Sequence, residues 1–236
     1  VVSVTPTKAR VRAGGSEVTL ELEDSRWAAP VSEPRHYDRP AELEDLTEIL
    51  EADDLVLVER IDGQWRLFQH PTFEGAMMSV DSRTGRPLAS VGGYDADRNA
   101  FHRARHGCRQ PGSVFKPVVY AEAISRGLTA ATMLSDLPGE FSTGRGGVWK
   151  PSNADRDFTG YIILANALAW SRNIPTVGLM EHLGIGRVVE RAEKLGIEST
   201  LDRTSSVSLG ASCVRPVEMV RVYTALQRRG VPVSPP

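Results

Sequence analysis

Polar and apolar residues alternate along the first seventy positions, and a helical period takes over from residue 113. Ser16–Glu23 alternates in the manner of a half-buried strand. Leu55–Arg60 and Gln64–Gln69 flank Asp62-Gly63, a pairing that predicts a β-hairpin. The stretch 30–53 between them is rich in Pro, Asp and Glu; it reads as loop with a short helix near Ala41–Leu50. Residues 1–70 therefore read as a small β module, barrel-like in its strand content. Gly75–Val80 and Pro87–Val91 form a second predicted hairpin around Asp81–Gly85. Residues 94–111 are polar and irregular. Ser113–Arg126 then carries Phe115, Val118, Val119 and Ala123 at helical spacing and closes on Gly127. A loop is predicted over 135–160. Helices are predicted over Tyr161–Trp170, Ile174–Leu183, Val188–Leu195 and Pro216–Arg229, with Gly184, Gly196 and Gly230 at their ends.

This order, strands first and helices after, defines an α+β chain of one large domain, 71–236, preceded by the small module. The 236 residues are 41% hydrophobic and 25% charged, enough to fill a core beneath an ordinary surface. A net charge of -2 gives no reason to expect a nucleic-acid partner. No apolar run is long enough to cross a bilayer, and Val1–Val4 does not open like a signal peptide. Five histidines form no metal-binding cluster, and no motif asks for a metal or another cofactor. Cys108 and Cys213 fit no zinc spacing. A disulfide in an oxidising compartment and two unpaired thiols both stay open.

Only four of the 28 basic residues are lysine: Lys8, Lys116, Lys150 and Lys194. Arginine keeps its proton in proteins, whereas a desolvated lysine can act as a base. Pro111-Gly-Ser-Val-Phe-Lys-Pro117 puts Ser113 at a helix start with Lys116 three residues on, on the same face. A neutral Lys116 amine there could take the Ser113 proton during attack on a carbonyl. The helix N-terminus would favour the resulting oxyanion. A serine N-cap followed by a surface lysine has the same spacing. Ser171 and Asn173, between two predicted helices, can face a cleft or can cap the second helix. Trp149-Lys-Pro-Ser-Asn153 reads as loop material near such a cleft or as a surface turn.

Longer segments weigh these alternatives. Glu74–Tyr94, Phe101–Ala104, Arg109–Pro117, Trp149–Asn153, Ala167–Val177 and Ser208–Met219 resemble, in order, segments of the transpeptidase domain of class A penicillin-binding proteins. Gly63–Gln69 fits the small OB-like module that precedes this domain in some members. The resemblance implies a penicillin-binding transpeptidase (β-lactamase-like) fold. It implies Ser113 as the acylated nucleophile, Lys116 as its base and Ser171 as a proton relay to the leaving group. Asn173, Trp149 and Asn153 would contact substrate. The implied reaction is cross-linking of peptidoglycan stem peptides ending in D-Ala-D-Ala, by acyl transfer through Ser113, with β-lactam antibiotics acylating the same serine. The implied location is the extracytoplasmic (periplasmic) face of a bacterial membrane, in a parent protein with an anchor and a glycosyltransferase domain.

One departure stands against this pattern. No Lys-Thr-Gly or Lys-Ser-Gly follows the second motif, and Lys194-Leu195-Gly196 falls in a helical stretch. In the family that strand supplies one oxyanion donor, and losing one such donor costs about 10²–10³ in rate. The expectation is an incomplete transpeptidase domain, a weak catalyst alone. A non-catalytic scaffold or β-lactam-sensing module is the alternative. A β-lactamase ranks last, since no Glu or Asp stands where a deacylating base is needed.

Overall fold

The computed structural model describes residues 1–30, 42–142 and 147–233. It divides into two compact units, Val1–Phe73 and Glu74–Pro236.

The first unit is built on β strands. β1 (Ser3–Val4), β2 (Lys8–Ala13) and β3 (Ser16–Glu21) form an antiparallel sheet in that order. Alternation sends Ala9 and Val11 inward while Lys8, Arg10 and Arg12 stay exposed. β4 (Leu57–Ile61) and β5 (Gln64–Phe68) form the hairpin expected around Asp62-Gly63. Leu20, Leu43, Leu46 and Leu50 complete this unit's core. The helix expected near Ala41–Leu50 is reduced to a 3-10 turn at Leu46–Glu48, started by the Asp45 carboxylate accepting from Thr47 N at 2.7 Å. Ala41 itself lies outside the described residues.

The second unit opens with β6 (Met77–Val80) paired to β7 (Pro87–Val91). A short helix, α1 (Arg103–His106), interrupts the stretch expected to be irregular. A 3-10 turn, Gly112–Phe115, then runs directly into α2 (Lys116–Ser125). Next come β8 (Met133–Asp136), β9 (Phe141–Ser142), β10 (Val148–Trp149) and β11 (Gly160–Ile163). They are followed by α3 (Leu164–Ala169), α4 (Asn173–Leu183), α5 (Ile185–Lys194) and α6 (Pro216–Gln227). β9 pairs with β10, and β11 with β8, so the region expected to be loop over 135–160 is partly strand.

The predicted helix Tyr161–Trp170 is corrected at its front half. Tyr161, Ile162 and Ile163 pair with Ser135, Leu134 and Met133. Aromatic and β-branched side chains favour that pleated surface over a helix. Periodicity cannot separate the two in an unbroken apolar run, so strand and helix read as one element.

α2 is the spine of the unit. Phe115, Val118, Val119, Tyr120 and Ala123 are all at most 1% exposed and join Leu179, Met180, Val188 and Val222 in one core. Burying side chains of this size contributes about 1.5–3 kcal/mol each. The start of α2 is therefore held by its own apolar face.

A second restraint reaches it from the other side. Cys108 and Cys213 are joined in a disulfide, with Cα atoms 5.4 Å apart and a sequence separation of 105. Arg109 and Val214 exchange both backbone hydrogen bonds, at 3.1 and 2.9 Å. Gln110 Nε2 donates to Ala211 O at 2.7 Å, and Gly112 N donates to Gly210 O at 3.3 Å. Residues 108–112 thus lie antiparallel along 210–214, immediately before Ser113. Disulfides closing loops of this length typically contribute about 2–4 kcal/mol.

Candidate active site

Ser113 sits in the 3-10 turn and is exposed; its hydroxyl has no hydrogen-bond partner among the described residues. Its carbonyl accepts the N–H of Lys116, so the two residues occupy consecutive turns of one helical run. Neither the turn nor α2 is capped by a side chain. Ser113 is therefore not serving as the N-cap that its spacing allowed.

Lys116 points inward and is 1% exposed. Its Nζ donates to Ser171 O at 2.5 Å, to Ser171 Oγ at 3.0 Å and to Asn173 Oδ1 at 2.7 Å. Burial lowers its pKa from 10.5 to about 8. The structure thus brings Lys116, Ser171 and Asn173 together, across 55 and 57 residues of sequence.

Ser171 occupies an unusual backbone position. Arg172 N donates to Ala167 O at 2.9 Å and Ser171 N to Leu168 O at 3.0 Å, the two bonds of a Schellman ending to α3. Ser171 is the left-handed residue of that motif, with φ of 52°. Glycine usually stands there, because a Cβ costs on the order of 1 kcal/mol or more. Glycine would have no hydroxyl to offer Lys116. A direct test compares Ser171→Gly with Ser171→Ala, both of which lack the hydroxyl. The glycine variant should be about 1 kcal/mol more stable in denaturant unfolding, whereas equal stability would deny the strain at this residue.

Asn173 is the first residue of α4, and again no local side chain caps the helix. Asn153 caps it from a distance. Its Oδ1 accepts the N–H groups of Asn173 at 2.8 Å and Ile174 at 3.3 Å. Its Nδ2 donates to Asp136 Oδ1 at 2.8 Å and to Asp157 O at 2.9 Å. Asn153 is 2% exposed, so its amide is committed to the protein and is not open to a ligand. Ser152 O accepts Asn173 Nδ2 at 2.8 Å, which turns Asn173 Oδ1 toward Lys116. Trp149 is half-buried on β10, its ring 6.5 Å from that of Phe141. Lys194 ends α5, in a helical stretch as its sequence implied, and pairs with Glu190 at 2.7 Å.

Three residues that the motifs did not single out complete the surroundings. Arg172 and Asp136 form a buried ion pair at 2.8 Å. Burial alone would raise the Asp136 carboxyl, but hydrogen bonds from Asn153, Thr159 and Arg172 outweigh it and hold the group below the usual carboxylate range. Gly210 backs onto Gly112 so closely that a Cβ would lie 2.3 Å from Gly112 O. One sequence signal pointed at Arg172: a charged residue flanked by two site residues faces away from them, and burial there demands a carboxylate partner. Which carboxylate it would meet, 36 residues away, the sequence does not show.

Comparison with known proteins accounts for both units. The penicillin-binding protein transpeptidase domain family matches residues 75–236, and the penicillin-binding protein OB-like domain family matches residues 1–73. The chain belongs to the penicillin-binding transpeptidase family. Penicillin-binding protein 1A of Neisseria lactamica is 35% identical over 226 residues, covering 94% of this chain and 27% of its own length. That of Escherichia coli K12 is 31% identical over 239 residues, covering 100% and 28%. The chain therefore spans just over a quarter of the length of these curated relatives. Among solved structures, penicillin-binding protein 1A from Haemophilus influenzae aligns with a TM-score of 0.77 at 26% identity, over 95% of this chain and 32% of that one. PonA1 from Mycobacterium tuberculosis, solved in complex with penicillin V, aligns with a TM-score of 0.60 at 25% identity, over 68% and 45%. Among the described residues no helix is long and apolar enough to cross a membrane.

Proposed function

We propose that this protein is a peptidoglycan D,D-transpeptidase that works through an acyl-enzyme at Ser113. The observation that carries this reading is Lys116: buried, titrating near 8, one turn from Ser113 and bonded to the Ser171 hydroxyl. Neutral Lys116 accepts the Ser113 proton as Oγ attacks the carbonyl carbon of the penultimate D-Ala. The C–N bond to the terminal D-Ala then breaks, and that amine takes a proton from Lys116. A neighbouring stem's amine attacks the ester carbonyl, forms the cross-link, gives up a proton and releases Ser113.

The hydrogen bonds around Lys116 support Ser171 as the relay. Ser171 O and Asn173 Oδ1 can only accept. Ser171 Oγ–H alone can reverse and donate to a neutral amine, so the proton path to the leaving group runs through it. Asn173 keeps one amide N–H for a substrate carbonyl. Asn153 serves the site by capping α4.

The disulfide fits an oxidising compartment, in keeping with action at the extracytoplasmic face of a bacterial membrane. The class A likeness extends the reading to an anchored protein with a glycosyltransferase domain, and to β-lactams as ligands of Ser113. The test is turnover by the full-length protein of a peptide ending in D-Ala-D-Ala. D-Ala release should accompany cross-linked product and stop in Ser113→Ala. A folded wild-type protein that binds penicillin but releases no D-Ala is instead a sensing module.

A further inference from the structure

The buried carboxylate of Asp136 touches no group assigned to the chemistry, yet it binds both Asn153, which caps the helix that begins at Asn173, and Arg172, which follows Ser171. Asp136 is 0% exposed. Its Oδ2 accepts from Arg172 Nε at 2.9 Å, has Arg172 Nη2 beside it in an ion pair at 2.8 Å, and accepts from Thr159 N at 3.1 Å and Oγ1 at 2.8 Å. Its Oδ1 accepts from Asn153 Nδ2 at 2.8 Å. A carboxylate only accepts, so it admits one orientation of the Asn153 amide: nitrogen toward Asp136 and oxygen toward α4. That oxygen holds the first two N–H groups of α4 and so fixes Asn173, whose own oxygen meets Lys116. Through Arg172 the same carboxylate anchors the residue that follows left-handed Ser171.

We propose that Asp136 is a positioning residue of the acylation site, setting the amide orientation of Asn153 and the turn at Ser171 so that Lys116 meets its acceptors. The inference rests on the function proposed above.

It makes an unusual demand on Asp136→Asn. Either orientation of the new amide turns an N–H toward donors, those of Asn153 on one side or of Arg172 and Thr159 on the other. If Asn153 rotates to relieve the first conflict, its NH₂ faces the N–H groups of Asn173 and Ile174. The reciprocal variant Asp136→Asn with Asn153→Asp removes this conflict and gives up the bond from Asn153 Nδ2 to Asp157 O. The amide at 136 donates to a carboxylate at 153, which still accepts from α4, and its oxygen still accepts from Arg172.

The experiment follows acylation of the full-length protein by a fluorescent penicillin from pH 6 to 9, with thermal unfolding of each variant. Labelling of wild type but not of Ser113→Ala secures the underlying reading; an unlabelled wild type defeats that reading and this one with it. Given labelling, Asp136→Asn should acylate about 10²-fold more slowly, with its ascending pH limb displaced, and the reciprocal variant should recover most of both. A folded Asp136→Asn with wild-type rate and pH profile overturns the proposal. If Asp136→Asn unfolds below assay temperature, the reciprocal variant is compared with Asn153→Asp alone, which loses the same bond to Asp157 O: faster acylation by the reciprocal variant supports the proposal, and equal rates in the two folded variants overturn it.

Discussion

Replacing Lys116 by arginine should slow acylation of Ser113 by about 10²–10⁴-fold, the usual contribution of a positioned general base. Arginine keeps the positive charge and can still donate to Ser171 and Asn173, but it does not surrender its proton. The loss therefore reports base catalysis rather than a missing cation. In wild type the rate should rise tenfold per pH unit below about 8 and level off above it, following the neutral fraction of Lys116. The arginine variant should show no such rise. Stopped-flow acylation across pH 6 to 9 checks both, and a rise that persists in the variant would assign it to another group. The same shift bears on stability. An unfolded chain's lysine titrates near 10.5, so between about 8 and 10.5 the unfolded state binds more protons than the folded one. The contribution of Lys116 thus makes stability rise with pH through that window and leaves no slope below it.

Gly210→Ala should be the second severe change. An added Cβ would lie 2.3, 2.4 and 2.8 Å from Gly112 O, N and C, backbone atoms with no flexible end to move aside. Gly210 also has φ of 71°, a conformation that L side chains rarely adopt. Overpacking and backbone strain together should cost about 3 kcal/mol. Because Gly112 precedes Ser113, the displaced turn should carry the nucleophile with it and reduce acylation about 10²-fold. Gly127→Ala is the control. It too stands at positive φ, 93°, but its Cβ would meet nothing within 4 Å. It should lose about 1 kcal/mol and keep its acylation rate. Denaturant unfolding and penicillin labelling of both variants separate the contributions; equal loss of acylation would mean that the contact with Gly112 is unimportant.

Much of this arrangement was legible from particular residues. Asp62-Gly63 marked its hairpin, and the spacing of Phe115, Val118, Val119 and Ala123 marked the buried face of α2. The ordered segments around Ser113, Lys116, Ser171 and Asn173 identified the family. Other features were not legible, each for a physical reason. Tyr161–Ile163 continue an apolar run into α3, and only pairing with β8 reveals them as strand. Cys108 and Cys213 have no sequence signal of partnership; their Cα atoms meet because 108–112 lies along 210–214. Asn153 looked like a ligand-facing loop residue, and its burial follows from a carboxylate 17 residues earlier. The left-handed turn at Ser171 goes against local preference, so no propensity argument anticipates it. The groups that do the proposed chemistry belong to short motifs, whereas those that orient them meet only in the fold.

The account turns on Ser113 as the residue that carries the acyl group. The most direct measurement is peptide mapping by mass spectrometry of the full-length protein after reaction with penicillin at pH 8. The predicted result is one added penicilloyl group on the peptide containing Ser113, absent from Ser113→Ala and strongly reduced in Lys116→Arg. An adduct on a different residue, or one that persists in Ser113→Ala, would contradict it.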